Sequence, residues 1–144
     1  MSKTGNRAVE LYLEKGFSCS ESVYIALAEA DDLTAEEMDA GNHMAGAFSG
    51  GMSVGSVCGA LTGGMLTLGR WFGRNLNEAR KDEMKEYGKA LYEAFTDKFG
   101  AESCLKLKPE SNAKKQCAEY VRFVAEKVEE LLDKGLADAE EDCG

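Results

Sequence analysis

GSVCGALTGG, residues 55–64, sets one thiol, Cys58, among glycines at positions 55, 59, 63 and 64. A glycine inside a helix costs about 1 kcal/mol relative to alanine, so this density by itself argues for a loop. The residues downstream argue for a helix. Cys58, Leu61, Met65, Leu68 and Phe72 fall on one face of a 3.6-residue period. The stretch is therefore read as the hinge between a glycine-rich loop, 49–56, and a helix from about 57 to 72. Gly55, Gly59 and Gly63 recur every four residues and line one side of the helix start. A side without Cβ atoms admits another backbone or a bound group into contact with the Cys58 turn. These three glycines are candidates for approach of a cofactor, a substrate or a second thiol, and close helix packing is the compatible structural reading.

The helical reading extends outward from this element. Residues 6–15 form a short helix with Val9, Tyr12 and Leu13 on one face and Gly16 as its stop. Ser18 with Glu21 three positions later makes a capping box for a helix over 19–30. Thr34-Ala35-Glu36-Glu37 is a second box, opening a helix that fades near Ala47. Asn75 or Asn77 caps a fifth helix with a stripe of Met84, Tyr87, Leu91, Phe95 and Phe99, ended by Gly100. A last helix follows Pro109 and runs to Asp133, stopped by Lys134-Gly135. Period-2 alternation is missing and β-branched residues are sparse, so strands are not expected. The fold expected is all-α: one compact domain of five to six helices over residues 1–135, with the glycine-rich loop before the central helix. Residues 136–144 form an acidic, frayed tail.

The chain has 144 residues, 44% of them hydrophobic, enough for a core. Seventeen basic against 26 acidic side chains leave a net charge of −9, which disfavours nucleic-acid binding. The start, MSKTGNRAVELYLEKG, has no apolar signal-peptide region. Residues 45–69 carry no charge but contain eight glycines and five serines or threonines, and read as a buried loop and helix, not as a stable membrane span. Five cysteines without an export signal point to the reducing cytoplasm, where cysteines serve metals or redox chemistry more often than structural disulfides.

The cysteines share a pattern. Cys19 stands with Val23, Ala26, Leu27 and Ala30, and Cys117 with Val121, Val124, Val128 and Leu131, each on one helix face as Cys58 is. Cys104 lies in the connector 101–108, and Cys143 lies in the acidic tail on no stripe. Free cysteine packs as a small hydrophobe, so core packing is the plain reading for any one of them. Cys19 and Cys58, however, each fall at the first turn of a helix, where unpaired N–H groups and the helix dipole favour thiolate. Cys19, Cys58, Cys104 and Cys117 are therefore expected to approach one another, with Cys58 the most nucleophilic.

Other constellations are weak. His43 is the single histidine, and nothing in the sequence sets it against a cysteine. No GxxxxGK[ST] is present and no glycine fingerprint follows a strand, so nucleotide binding has no support.

The box Cys58-Gly59-Ala60-Leu61-Thr62-Gly63, the segment 16–23 around Cys19, the approach 47–52 and the later Cys104 and Cys117 together resemble a family of redox-active bacterial and archaeal proteins. That family is named for four cysteines and a CGAxxG box, and the likeness spans residues 6–134. It implies redox activity at the four cysteines, with no assigned reaction, in proteins often encoded beside transporter genes. Some members carry selenocysteine in place of a cysteine. The family is also similar to the cysteine-bearing part of split-Soret cytochromes, where an iron–sulfur cluster is implicated, but this chain has no C-x-x-C-H haem site.

Three functions stay open at this stage. The first is a thiol-based oxidoreductase acting on a small molecule or a redox partner, with Cys58 attacking, Cys19 resolving, and Cys104 with Cys117 as a second pair. The second is an iron–sulfur or zinc module with the same four cysteines as ligands. The third is a non-catalytic adaptor associated with a transporter. The missing C-x-x-C counts against the first and the missing short ligand spacings against the second.

Overall fold

The computed structural model describes residues 2–108 and 113–143, with side chains through Leu136. Among the described residues the chain forms seven α-helices and no strand: α1 (Lys3–Glu14), α2 (Cys19–Ala30), α3 (Ala35–Gly46), α4 (Gly59–Phe72), α5 (Asp82–Phe99), α6 (Cys104–Leu107) and α7 (Ala113–Cys143). The all-α expectation holds.

Helix starts follow their caps. Ser18 accepts the Glu21 N–H while the Glu21 side chain accepts the Ser18 N–H, and Thr34 with Glu37 repeats the arrangement. Helix α1 begins earlier than its apolar period suggests because the Ser2 hydroxyl accepts the Gly5 N–H at 2.9 Å. Helix α5 begins later. The Asn75 N–H donates to Glu78 Oε1 at 2.7 Å and the Glu78 N–H donates to the Asn75 carbonyl at 3.0 Å, closing a separate turn. Neither Asn75 nor Asn77 therefore caps α5, whose N-cap is Lys81. Helix α6 occupies the segment read as a connector. The stop at Gly135 is a break, with φ +81, after which helical backbone resumes to Cys143; the side chains of the acidic tail lie outside the described residues. Removing the Ser18 hydroxyl (Ser18→Ala) is expected to cost about 1 kcal/mol, read from the urea midpoint at unchanged slope.

Helix α2 is central. It packs on α1, α3, α4 and α7, while α4 also meets α5 and α7. The predicted stripes form the core: Val23, Ala26 and Leu27 of α2, Leu61 and Leu68 of α4, and Val121, Val124, Val128 and Leu131 of α7 are all buried. Two glycines set the spacing of α2 and α4. A Cβ on Gly63 would lie 2.6 Å from the Ser20 carbonyl oxygen, and one on Gly59 would lie 2.3 Å from Cys19 Sγ. Ser20 is itself fixed, its hydroxyl donating to the Ala45 carbonyl at 2.7 Å at the end of α3. The start of α2 is thus held between α3 and α4, with Cys19 at its tip. Among the described residues, no helix is long and apolar enough to cross a membrane.

Candidate functional site

Two short segments bring the middle cysteines together. Residues 50–55 form one tight turn in which Gly50, Gly51, Met52, Ser53 and Gly55 all have positive φ, and the Ser56 N–H closes it onto the Gly51 carbonyl at 2.9 Å. Met52 and Ser53 pay a steric cost there that glycine avoids. The chain leaving the turn pairs with the chain entering α6: Val57 faces Ser103 in an antiparallel bridge, the Cys58 N–H donates to the Glu102 carbonyl at 2.7 Å, and the Cys104 N–H donates to the Ser56 carbonyl at 2.6 Å. Because side chains alternate along an extended segment, Cys58 and Cys104 fall on the same side of this bridge, opposite Val57. Gly51 makes room for the arrangement, since a Cβ there would lie 2.8 Å from Cys104 Cβ.

Cys58 caps α4. Cys19 begins α2, and Gly59 lets its sulfur lie against the turn that Cys58 opens. Cys117 enters from the first turns of α7. The Tyr120 hydroxyl, one turn on, donates to the Leu107 carbonyl at 2.6 Å and ties the end of α6 to that face. All four residues are free thiols. The charge that Cys58 would carry is opposed by those of Cys19 and Cys117, and the charge of Cys117 by those of Cys19 and Cys104. The structure therefore brings Cys19, Cys58, Cys104 and Cys117 into one neighbourhood. Cys143 lies outside the described side chains.

The electrostatics correct one expectation. Cys58 does receive the N–H groups of Ala60 and Leu61, as a helix start predicts, but burial outweighs them and pushes its thiol up from 9.0 to about 12. Burial likewise raises Cys117, offset in part by a hydrogen bond from the Tyr12 hydroxyl and by the charge of Lys108. Cys58, Cys104 and Cys117 are 5%, 7% and 6% exposed, whereas Cys19 is only half-buried. Cys19 is the least buried of the four, and Cys58 is not the low-pKa nucleophile its position suggested.

The three glycines divide. Gly59 and Gly63 do line one side of α4, and protein fills that side: Cys19 and Ser20 occupy the space a cofactor would need. Gly55 is not on the helix at all. It ends the tight turn at φ +74, and a Cβ there would lie 2.4 Å from Leu105 Cγ. Among the described residues, no three His, Cys, Asp or Glu side chains stand close enough to hold one metal ion. The four thiols as placed do not make the single-ion ligand set that zinc requires.

Two residues at the site were not singled out in the sequence. Tyr12, from α1, touches the core beside the thiols and donates to Cys117; burial, followed by the thiols, raises its own pKa. Tyr120 is raised by burial as well. Tyr12 lies on the predicted apolar face of α1, but only the packing of α1 on α7 brings it to Cys117. Tyr120 is three residues from Cys117 on one helix, a local signal that would have found it. His43 is exposed in the last turn of α3. A groove of about 640 Å³ between α3 and α4 is lined by Tyr24, Met44, Phe48, Met65, Leu66 and Arg70 among others, and no cysteine lines it.

Fold and site together define a helical protein whose free thiols gather at the junction of α2, α4, α6 and α7. The chain belongs to the family described as "Putative redox-active protein (C_GCAxxG_C_C)", which it matches over residues 17–131. Comparison with curated proteins and with solved structures finds no match to either.

Proposed function

We propose that this protein carries out thiol–disulfide exchange with Cys19 as the entry thiol and Cys58 as its resolving partner. The observation that carries the reading is the seat of Cys19: it is the least buried of the four cysteines, and its sulfur packs against Gly59, the residue following the buried Cys58. Exchange needs one thiolate that solvent reaches and a second sulfur ready behind it. Cys19 Sγ, as thiolate, attacks one sulfur of a substrate disulfide; a mixed disulfide forms and the other substrate sulfur leaves as thiolate. Cys58 then attacks Cys19 Sγ, closing a protein disulfide and releasing the second substrate thiolate. The substrate gains two electrons, the protein loses two, and the two cysteine protons end on the released thiols. Cys104 and Cys117 form a second pair that can pass the oxidation on by the same exchange.

The test uses reduced protein in a Cys143→Ser background and one equivalent of a small aromatic disulfide. The intact chain is expected to release two thiols per protein and to show a Cys19–Cys58 disulfide on peptide mapping. Cys58→Ser is expected to stop at the mixed disulfide on Cys19, with one thiol released and the other retained as a mass adduct. Adducts on the intact chain without any internal disulfide would defeat the reading.

A further inference from the structure

We infer that Lys108 and Lys114 form an electropositive rim over the thiol cluster and select an anionic disulfide as substrate; this deepens the proposed exchange and rests on it. The chain as a whole is acidic, at −9, yet between Cys104 and Cys117 it carries four lysines, Lys106, Lys108, Lys114 and Lys115, against one acid, Glu110. All four lysines are exposed. Among the described residues none of them is held in an ion pair.

Two of the four lie beside the chemistry. The Lys114 ammonium sits 5.5 Å from the centroid of the Tyr12 ring, whose hydroxyl donates to Cys117. Lys114 precedes Cys117 by three residues, so the two share one face of α7. Lys108 is placed by its neighbour: Tyr120 holds the Leu107 carbonyl, and the Lys108 N–H donates to the Cys104 carbonyl at 3.1 Å. Its charge favours the Cys117 thiolate. Glu119 lies two residues past Cys117, on the far side of the helix. A net-negative protein repels anions at long range. A local cationic rim beside Tyr12 and Cys117 has the opposite effect, raising the local concentration of an anion and steadying the thiolate that leaves.

The electron balance is that of the exchange already given, with the substrate disulfide now bearing carboxylates or comparable negative groups. The probes are three: dianionic 5,5′-dithiobis(2-nitrobenzoate), neutral 4,4′-dithiodipyridine and dicationic cystamine. Each is mixed with the reduced full chain carrying Cys143→Ser, and the rate at Cys19 is followed by stopped flow and peptide mapping. At low salt the anionic probe is expected to outrun the cationic one. Lys108→Gln with Lys114→Gln is expected to lower the anion-to-cation rate ratio about tenfold, as is added salt. The neutral probe should react alike with both proteins, showing that the thiols and the fold are intact. A normal neutral rate with an unchanged anion-to-cation ratio would overturn the rim while leaving the exchange reading standing. Failure of the neutral probe to react at Cys19 in the unsubstituted rim would overturn both.

Discussion

Gly63→Leu is expected to stop α2 from closing on α4, and with it to dismantle the thiol site. A Cβ at position 63 meets the Ser20 carbonyl oxygen at 2.6 Å and the Ser20 Cα at 3.1 Å. These are backbone atoms, and Ser20 is pinned on its other side by the hydrogen bond to Ala45, so neither helix has room to yield. Overpacking a core costs about 1–3 kcal/mol where side chains can shift, and here the obstacle is main chain, so the top of that range is expected. Gly59→Leu meets Cys19 Sγ first, then the Phe48 carbonyl oxygen at 3.2 Å. It is expected to displace Cys19 and to lose the Cys19–Cys58 disulfide even where the rest of the fold survives. Leu61→Met is the control. Leu61 is buried, but the exchange nearly conserves volume and should cost less than about 1.5 kcal/mol. Thermal midpoints of the three variants, with disulfide mapping after mild oxidation, read both effects. Equal losses across all three would show that the glycines have no steric role.

The order in which the thiols react is the second large effect. With its thiol pushed from 9.0 to about 12 by burial, Cys58 holds about a thousandfold less thiolate at pH 8 than an ordinary cysteine. Cys117 is raised too. Brief alkylation of the reduced Cys143→Ser chain at pH 8 is therefore expected to label Cys19 first, with Cys58 and Cys117 protected. Early labelling of Cys58 would mean that the N–H groups at the α4 start outweigh burial after all.

The same burial has a consequence for stability, with a definite sign. A thiol whose pKa is higher folded than unfolded keeps its proton longer in the folded state. Its contribution is complete below the unfolded value and is lost as pH rises through the folded one. For Cys58 the window runs from about pH 9 to about pH 12, and the gap is worth at most about 4 kcal/mol. Cys117, Tyr12 and Tyr120 shift in the same direction, each chiefly through burial, so alkaline unfolding should be steep. Urea midpoints measured between pH 8 and pH 11 should fall throughout, and Cys58→Ala should flatten the slope.

The sequence by itself determined the helices, because their signals are local. The boxes Ser18–Glu21 and Thr34–Glu37 satisfy orphan N–H groups within one turn, and the stripes of Leu61, Leu68, Val121 and Val124 mark buried faces that became the core. That Gly59 and Gly63 permit close approach was legible for the same reason, since four residues apart on a helix is one side. What approaches them was not. The start of α2 reaches α4 from about forty residues away, and the choice between a cofactor and Cys19 at Gly59 was made by packing. Gly55 was assigned to a helix face because periodicity cannot see a chain turn through positive φ. The acidity of Cys58 was misjudged because a helix start is visible in sequence and desolvation is not. Two N–H groups are a local gain, while burial comes from every element that closes over the sulfur. Tertiary structure alone set Tyr12 against Cys117 and under the Lys114 ammonium, contacts between residues too distant in the chain for any local pattern to record.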